Sequence, residues 1–267
     1  MSDLIYEQKA PAALEKLGLV TAGQQMDTAC QQAAANGWSY SHFLGYLLDA
    51  EIEERRRKTI ALNLQFARFP PNAQRLEQFD FSAQPSLDRR LIDELATGRF
   101  LAEGRNIVFL GKPGVGKTHL AVSLGIITAE MGHRVYFTSA MDMARKLTQA
   151  TEQNRLPRML NALTQPKLLI IDEVGYLTLD PTQASLLFQV ICKRYEREQS
   201  IVLTSNKAFS DWGQVFAGDP IMASAALDRL IHRCTVVNIR GESYRLKEKR
   251  AAGTVHEDPR LVKEASA

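Results

Sequence analysis

Cysteine is scarce in this chain. The 267 residues hold three, Cys30, Cys192 and Cys234, far apart and without a C-x-x-C pair. That argues against a disulfide framework and a cysteine zinc site, and it fits reduced thiols in a cytosolic protein. Long apolar runs are missing too: none approaches the roughly 18 residues that span a bilayer, so no membrane partner is expected. The start, MSDLIYEQKA, has no basic stretch leading into an apolar one, and no signal peptide is read there. Aromatic residues are few, at 7%, and no aromatic-rich, OB-like or zinc module for reading bases is visible. Neither sign of charge dominates. Lys+Arg 33 against Asp+Glu 30 leaves +3, so the placement of the positive charges matters more than their sum.

What is present reads as an ordinary globular chain, 45% hydrophobic and 24% charged, not a disordered or collagenous one. The first part is helical throughout. Leu14 and Leu17 open a short pattern, an Ala/Gln-rich stretch follows, and Gly37 breaks it. Ser41 is the expected cap of a helix from His42, with Leu44, Leu47, Leu48 and Ile52 on one apolar face. Glu51, Glu53 and Glu54 then precede Arg55, Arg56, Arg57 and Lys58, an order that supports i,i+4 pairing. Pro70-Pro71 ends the segment. The expected division is a helical domain over 1–69, a linker over 70–85, an α/β domain over 86–246 and a flexible tail over 247–267.

After the linker, β-branched runs alternate with helical patterns. Strands are expected at 106–110, 134–139, 167–172, 200–205 and 235–239, with helices at 118–131, 141–150, 182–198 and 223–232. Strands separated by helices imply a parallel sheet covered on both faces.

Gly111-Lys112-Pro113-Gly114-Val115-Gly116-Lys117-Thr118 matches G-x-x-x-x-G-K-[ST] in full, after an apolar strand and before a helix. Such a loop folds tightly, so that successive N–H groups face phosphate oxygens and the helix adds its positive end. Lys117 would neutralise the β- and γ-phosphates, and the Thr118 hydroxyl would bind Mg²⁺. A phosphate site of this type needs a carboxylate at a neighbouring strand end. Leu168-Leu-Ile-Ile-Asp172-Glu173 supplies one for the metal, and Glu173 beside it to polarise water. Asn206 follows the strand 200–205 and is a candidate γ-phosphate sensor, although Asn at a strand end is commonly a turn residue. Arg229 lies on the helix before the last strand. It is an arginine-finger candidate where a solvated helical arginine is the ordinary alternative, and Arg233 is the weaker choice.

With these elements in order, the chain resembles the AAA+ ATPases, in particular the IstB-like transposition helpers and, more distantly, the DnaC helicase loaders. The stretches that carry the likeness are 111–121, 169–177, Thr204-Ser-Asn-Lys with Phe209 and Trp212, 227–232 and 240–245, together with the N-terminal Arg55-Arg-Arg-Lys. The resemblance implies a five-stranded AAA+ core with a reduced C-terminal lid. It implies ATP and Mg²⁺ as cofactors, held by the cradle 111–118 with His119, and by Thr118 and Asp172. It implies Glu173 as catalytic glutamate, Asn206 as sensor and Arg229 as a finger given in trans within a homo-oligomer. It further implies binding to duplex DNA without sequence preference and delivery of that DNA to a transposase. Arg55, Arg56, Arg57 and Lys58, and also Arg145, Lys146, Arg155 and Arg158, are the candidate phosphate contacts, with a solvated helix face as the alternative for each cluster. A helicase loader and a non-hydrolysing nucleotide-switched scaffold are the alternative functions. Phe79 and Phe81 precede the loop at a place suited to an adenine pocket, or to the core.

Overall fold

The computed structural model describes residues 2–244, with side chains from Lys9 onward. The tail 247–267 lies outside the described residues. The chain divides into two compact units, residues 1–62 and 63–267.

The first unit holds α1 (Ser2–Lys16), α2 (Val20–Asn36) and most of α3 (Tyr40–Ala67). Gly37 ends α2 in the left-handed conformation, φ 61°, its N–H bonded to Ala33 O. The cap of α3 is Ser39, not Ser41: its hydroxyl accepts the His42 N–H at 3.2 Å, and the helix starts two residues before the expected His42. A Ser inside the first turn has no free N–H ahead of it to cap, whereas Ser39 stands just outside. Of the expected apolar face only Leu47 is buried, beside Ala22 and Ala29; Leu44 and Ile52 stay exposed.

The basic run of α3 is largely engaged inside its own unit. Glu51 accepts the N–H groups of Thr21 and Ala22 at 2.8 and 3.2 Å, capping α2 from another helix. Arg55 donates to Glu51 at 2.8 Å and to Gly18 O at 2.6 Å. Arg56 pairs with Glu53, and Arg57 and Lys58 pair with Glu54. The Arg55 hydrogen bond, assisted by the two backbone N–H groups, holds the Glu51 carboxyl below the usual carboxylate range. A depressed folded pKa gives stability that is full above the unfolded value and lost as pH falls through the folded one. Acidification below the ordinary carboxylate range is therefore expected to release the α2 N-terminus first. Faster amide exchange at Thr21 and Ala22 in acid, abolished as a pH-dependent step in Glu51→Gln, is the measurement.

The second unit is a five-stranded parallel sheet of order β2-β3-β4-β1-β5. The strands are β1 (Asn106–Gly111), β2 (Val135–Ser139), β3 (Leu168–Val174), β4 (Ser200–Ser205) and β5 (Cys234–Ile239). Ahead of β1 stand α4 (Arg89–Ala96) and α5 (Arg99–Ala102), neither of which the sequence pattern disclosed. Between strands lie α6 (Lys117–Glu130), α7 (Ala140–Glu152), α8 (Leu156–Thr164), α9 (Pro181–Glu196), α10 (Trp212–Val215) and α11 (Pro220–Ile231). Local chemistry starts several of them. Ser139 caps α7, Asp219 caps α11 ahead of Pro220, and Asp180 with Gln183 forms a capping box on α9.

Strand residues alternate between two cores. Val108, Leu169, Ile171 and Leu203 face the side of α7, α9 and α11. Ile107, Phe109, Leu168, Ile170 and Val202 face the side of α4 and α6. Burial on both faces explains why these strands read as continuous apolar runs. Among the described residues no helix is long and apolar enough to cross a membrane, no His/Cys/Asp/Glu cluster could hold a metal ion by itself, and the three cysteines are free thiols.

Candidate active site

The sheet order puts β4 between β1 and β3, so the C-terminal ends of three strands meet at one edge of the unit. At that edge β1 runs into the glycine loop and α6. Gly114 and Gly116 adopt φ 81° and 96°, conformations that L side chains rarely reach. Space is also closed to a Cβ. At Gly116 it would lie 2.6 Å from the Phe79 ring, and at Gly114 it would strike Ser243. Lys117 opens α6, is nearly buried, and donates to the Gly111 and Lys112 carbonyls at 2.7 and 2.8 Å. Its ammonium therefore lies across the loop, where phosphate oxygens would also reach it. Pro113 and Val115 complete the loop, Val115 fully buried. His119 on the next residue pair stacks edge-on with Phe79 at 5.1 Å and bonds the Arg75 carbonyl.

Across from the loop, Thr118 and Asp172 meet. The Thr118 hydroxyl lies 3.0 and 3.1 Å from the two Asp172 carboxylate oxygens. Oxygen donors of this kind suit Mg²⁺, so the residues present fit the metal the motif implies. Glu173 is exposed and has φ 59°, a left-handed conformation that costs a non-glycine residue about 1–2 kcal/mol. It sits where the β3–β4 register slips between Ile171 and Val174. Asn206 is exposed just past the end of β4.

Three further contributors lie outside the glycine loop and the β3 carboxylates, and of them the sequence suggested a place only for Phe79. Thr204 on β4 donates to Asp172 at 2.5 Å and accepts the Glu173 N–H at 3.0 Å. The stretch 70–85, read from the sequence as a linker, forms short 3-10 turns at Leu76–Gln78 and Phe81–Ala83, and Phe79 between them packs on the glycine loop. The chain after β5 then returns over that loop. Ser86 exchanges hydrogen bonds with Arg240, Gln84 donates to the Glu242 carbonyl, and the Tyr244 N–H bonds Gly114 O at 2.9 Å. Together Phe79, Gln84, His119 and Tyr244 line a cavity of about 350 Å³ beside the loop. Phe79 thus reaches both the core and this cavity.

Other predicted residues lie elsewhere. Arg229 sits near the end of α11, just ahead of β5, whose first residue Cys234 pairs with Asn106 at the start of β1. In its own chain it is therefore at the opposite end of the sheet from Lys117. It donates to Ala225 O at 2.8 Å and lies over the Phe188 ring. Arg233 pairs with Glu198. Lys146, Arg155 and Arg158 come together around an open groove of about 460 Å³ between α7 and α8, while Arg145 pairs with Asp142.

A family model described as IstB-like ATP binding protein matches residues 12–252. An insertion sequence IS5376 ATP-binding protein of Geobacillus stearothermophilus is 44% identical over 235 residues, 88% of this chain and 92% of its own length. An insertion sequence IS21 ATP-binding protein of Pseudomonas aeruginosa is 44% identical over 242 residues, 91% of this chain and 90% of its own. Among solved structures, AMPPCP-bound DnaA from Aquifex aeolicus superposes with a TM-score of 0.53 at 21% identity, covering 74% of this chain and 60% of that one. DnaI gives 0.52 at 18% identity, covering 64% and 90%. These two share the fold.

Proposed function

Because the chain belongs to the IstB-like ATP-binding proteins of insertion sequences, we propose that it is an ATP-hydrolysing helper of DNA transposition, which assembles on duplex DNA and presents it to a transposase. The observation that best supports this reading is the meeting of Thr118 with Asp172, 54 residues apart, at 3.0 Å beside the glycine loop, a pair suited to the metal that accompanies ATP. In this reading Lys117 exchanges its two carbonyl acceptors for phosphate oxygens. Thr118 and Asp172 would hold Mg²⁺, which would supply positive charge to offset that of the phosphates. Glu173 takes a proton from water as the water oxygen bonds to the γ-phosphorus and the bond from that phosphorus to the β–γ bridging oxygen breaks, ADP leaving, and Asn206 contacts the γ-phosphate or the water. The cavity walled by Phe79, His119 and Tyr244 receives the nucleoside end of ATP.

Arg229 completes the site of a neighbouring copy, since its own phosphate loop is at the far end of the sheet. To do so it must leave the Phe188 ring. Arg229→Ala is expected to bind ATP normally and to lose turnover. Mixing it with Lys117→Ala restores part of the activity, because mixed assemblies pair an intact loop with an intact finger. Absence of rescue at every ratio argues against a finger in trans.

For DNA, the groove of Lys146, Arg155 and Arg158 supports phosphate contact better than the run 55–58, whose charges are engaged by Glu51, Glu53 and Glu54. Lys and Arg bind phosphates without reading bases, so this binding weakens steeply with salt. Sedimentation with ATP tests the whole reading, comparing no DNA, a duplex and a single strand of about 50 nucleotides at two salt concentrations. A large assembly that needs both ATP and duplex supports it. Assembly on single strands alone supports the helicase-loader alternative.

A further inference from the structure

Strand β3 carries two residues, Asp172 and Glu173, where β4 carries one, Thr204. The register pairs Ile171 with Leu203 and resumes at Val174 with Ser205. A bulge of this kind leaves backbone groups without a ladder partner and re-aims the side chain it carries. Here two hydroxyls on β4 take over. Thr204 has one proton and two lone pairs. The proton goes to Asp172 Oδ1 at 2.5 Å, and a lone pair accepts the Glu173 N–H at 3.0 Å. Ser205 donates to the Val174 carbonyl at 2.7 Å and accepts the Lys207 N–H at 3.0 Å, closing the far side of the bulge. Both hydroxyls are buried, and Glu173 emerges between them in its left-handed conformation.

We propose that Thr204 is a positioning residue for hydrolysis, whose single hydroxyl ties the Asp172 carboxylate to the backbone of Glu173. This rests on the roles given above to Asp172 and Glu173. The consequence is coupling. The hydroxyl donates to the carboxylate on the metal side and anchors the residue that activates water, so the two carboxylates are set as one unit. A residue that merely filled the core would act through its methyl group. Thr204 on this reading acts through its oxygen, and serine should replace it.

The test uses the full chain with Thr204→Val, which keeps the shape and removes the oxygen, and Thr204→Ser, which keeps the oxygen. Partners that orient metal ligands commonly cost 10–100-fold when removed, so Thr204→Val is expected to lower kcat about 30-fold and raise the Mg²⁺ activation constant about tenfold. Affinity for a fluorescent ATP analogue without Mg²⁺ stays within about twofold, because neither group touches that complex. Thr204→Ser stays within about threefold of the parent in all three. Amide exchange at Glu173 in the nucleotide-free protein, read by NMR, is expected to speed up about tenfold or more in the valine variant and not in the serine one. Thr204→Ala serves if the valine variant does not fold. Equal impairment by serine and valine, or unchanged exchange at Glu173 in a folded valine variant, overturns the proposal. A parent protein without ATP turnover overturns the function proposed above instead, and the exchange measurement still decides whether the hydroxyl holds the bulge.

Discussion

Glu173→Gln is expected to lower ATP turnover by about a thousandfold, within the range of 10²–10⁴ typical of a lost general base, while ATP affinity changes little. Gln has the same shape and keeps the backbone N–H that Thr204 holds, so the bulge is retained. It loses only the capacity to accept a proton from water. The side chain is exposed at the strand end and is not buried among its neighbours, so stability should be unaffected. The second half of the expectation concerns assembly. If hydrolysis clears the protein from DNA, the variant with ATP stays on duplex long after the parent has left. Steady-state turnover, binding of a labelled ATP analogue and sedimentation on duplex together check it. Turnover equal to that of the parent removes Glu173 from the chemistry. A parent with negligible turnover that still assembles with ATP points to the nucleotide-switched scaffold.

The largest expected effect on stability lies far from the nucleotide. Arg194 belongs to the basic end of α9, where a solvated side chain is the ordinary expectation, yet it is fully buried. Nη1 donates to Leu163 O at 2.9 Å and Pro166 O at 3.0 Å; Nη2 donates to Lys167 O at 3.2 Å and Ser200 O at 2.5 Å. One guanidinium thus ties the end of α8 and the turn into β3 to the start of β4. Burial, with Arg197 nearby, pushes its pKa down to about 9, so it remains charged at neutral pH. Arg194→Met keeps the apolar stem and removes the donor from four carbonyls, three of them in buried hydrogen bonds. An unsatisfied buried acceptor costs about 1–3 kcal/mol, but neighbours relax, so the sum is not additive. We expect a loss of about 4 kcal/mol, near the upper end for single substitutions. For a unit of this size that lowers Tm by about 10 °C. Urea and thermal unfolding measure it, and a loss below about 1 kcal/mol would mean that water reaches those carbonyls. Arg194→Lys should fall close to the Met variant, because one ammonium cannot span the four acceptors.

The parts of this protein that could be read from residues alone share a property: their chemistry is local. Gly111 to Thr118 is a contiguous loop whose Gly114 and Gly116 take conformations that L side chains rarely reach, so its residue types announce its shape. Leu168 to Asp172 is an apolar run because both faces of the strand are covered, and the carboxylates follow where the run ends beside the glycine loop. Helix α3 was legible as a helix, but its cap was assigned two residues late, since Ser39 and Ser41 are chemically alike and only the first turn distinguishes them. Short α4 and α5 went unseen for want of a long enough pattern to repeat.

What no pattern could disclose is contact across the sheet and between distant segments. Thr204 lies 32 positions from Asp172, and nothing in Thr-Ser-Asn says which hydroxyl meets a carboxylate and which turns away. Gln84 reaches Glu242 over 158 positions, which converts an expected linker and the residues after β5 into walls of the cavity beside the glycine loop. Nothing in the sequence marks Arg194 for burial; the sheet order brings α8, β3 and β4 around it. The basic run 55–58 reads as a nucleic-acid patch or a solvated helix face, and only the fold shows that Arg55 also reaches Glu51 and Gly18. Sequence determined which chemistry is available, because motif residues act through their own short backbone. Tertiary structure decided which polar groups remain available for that chemistry, because pairing and burial depend on groups that only the fold makes neighbours.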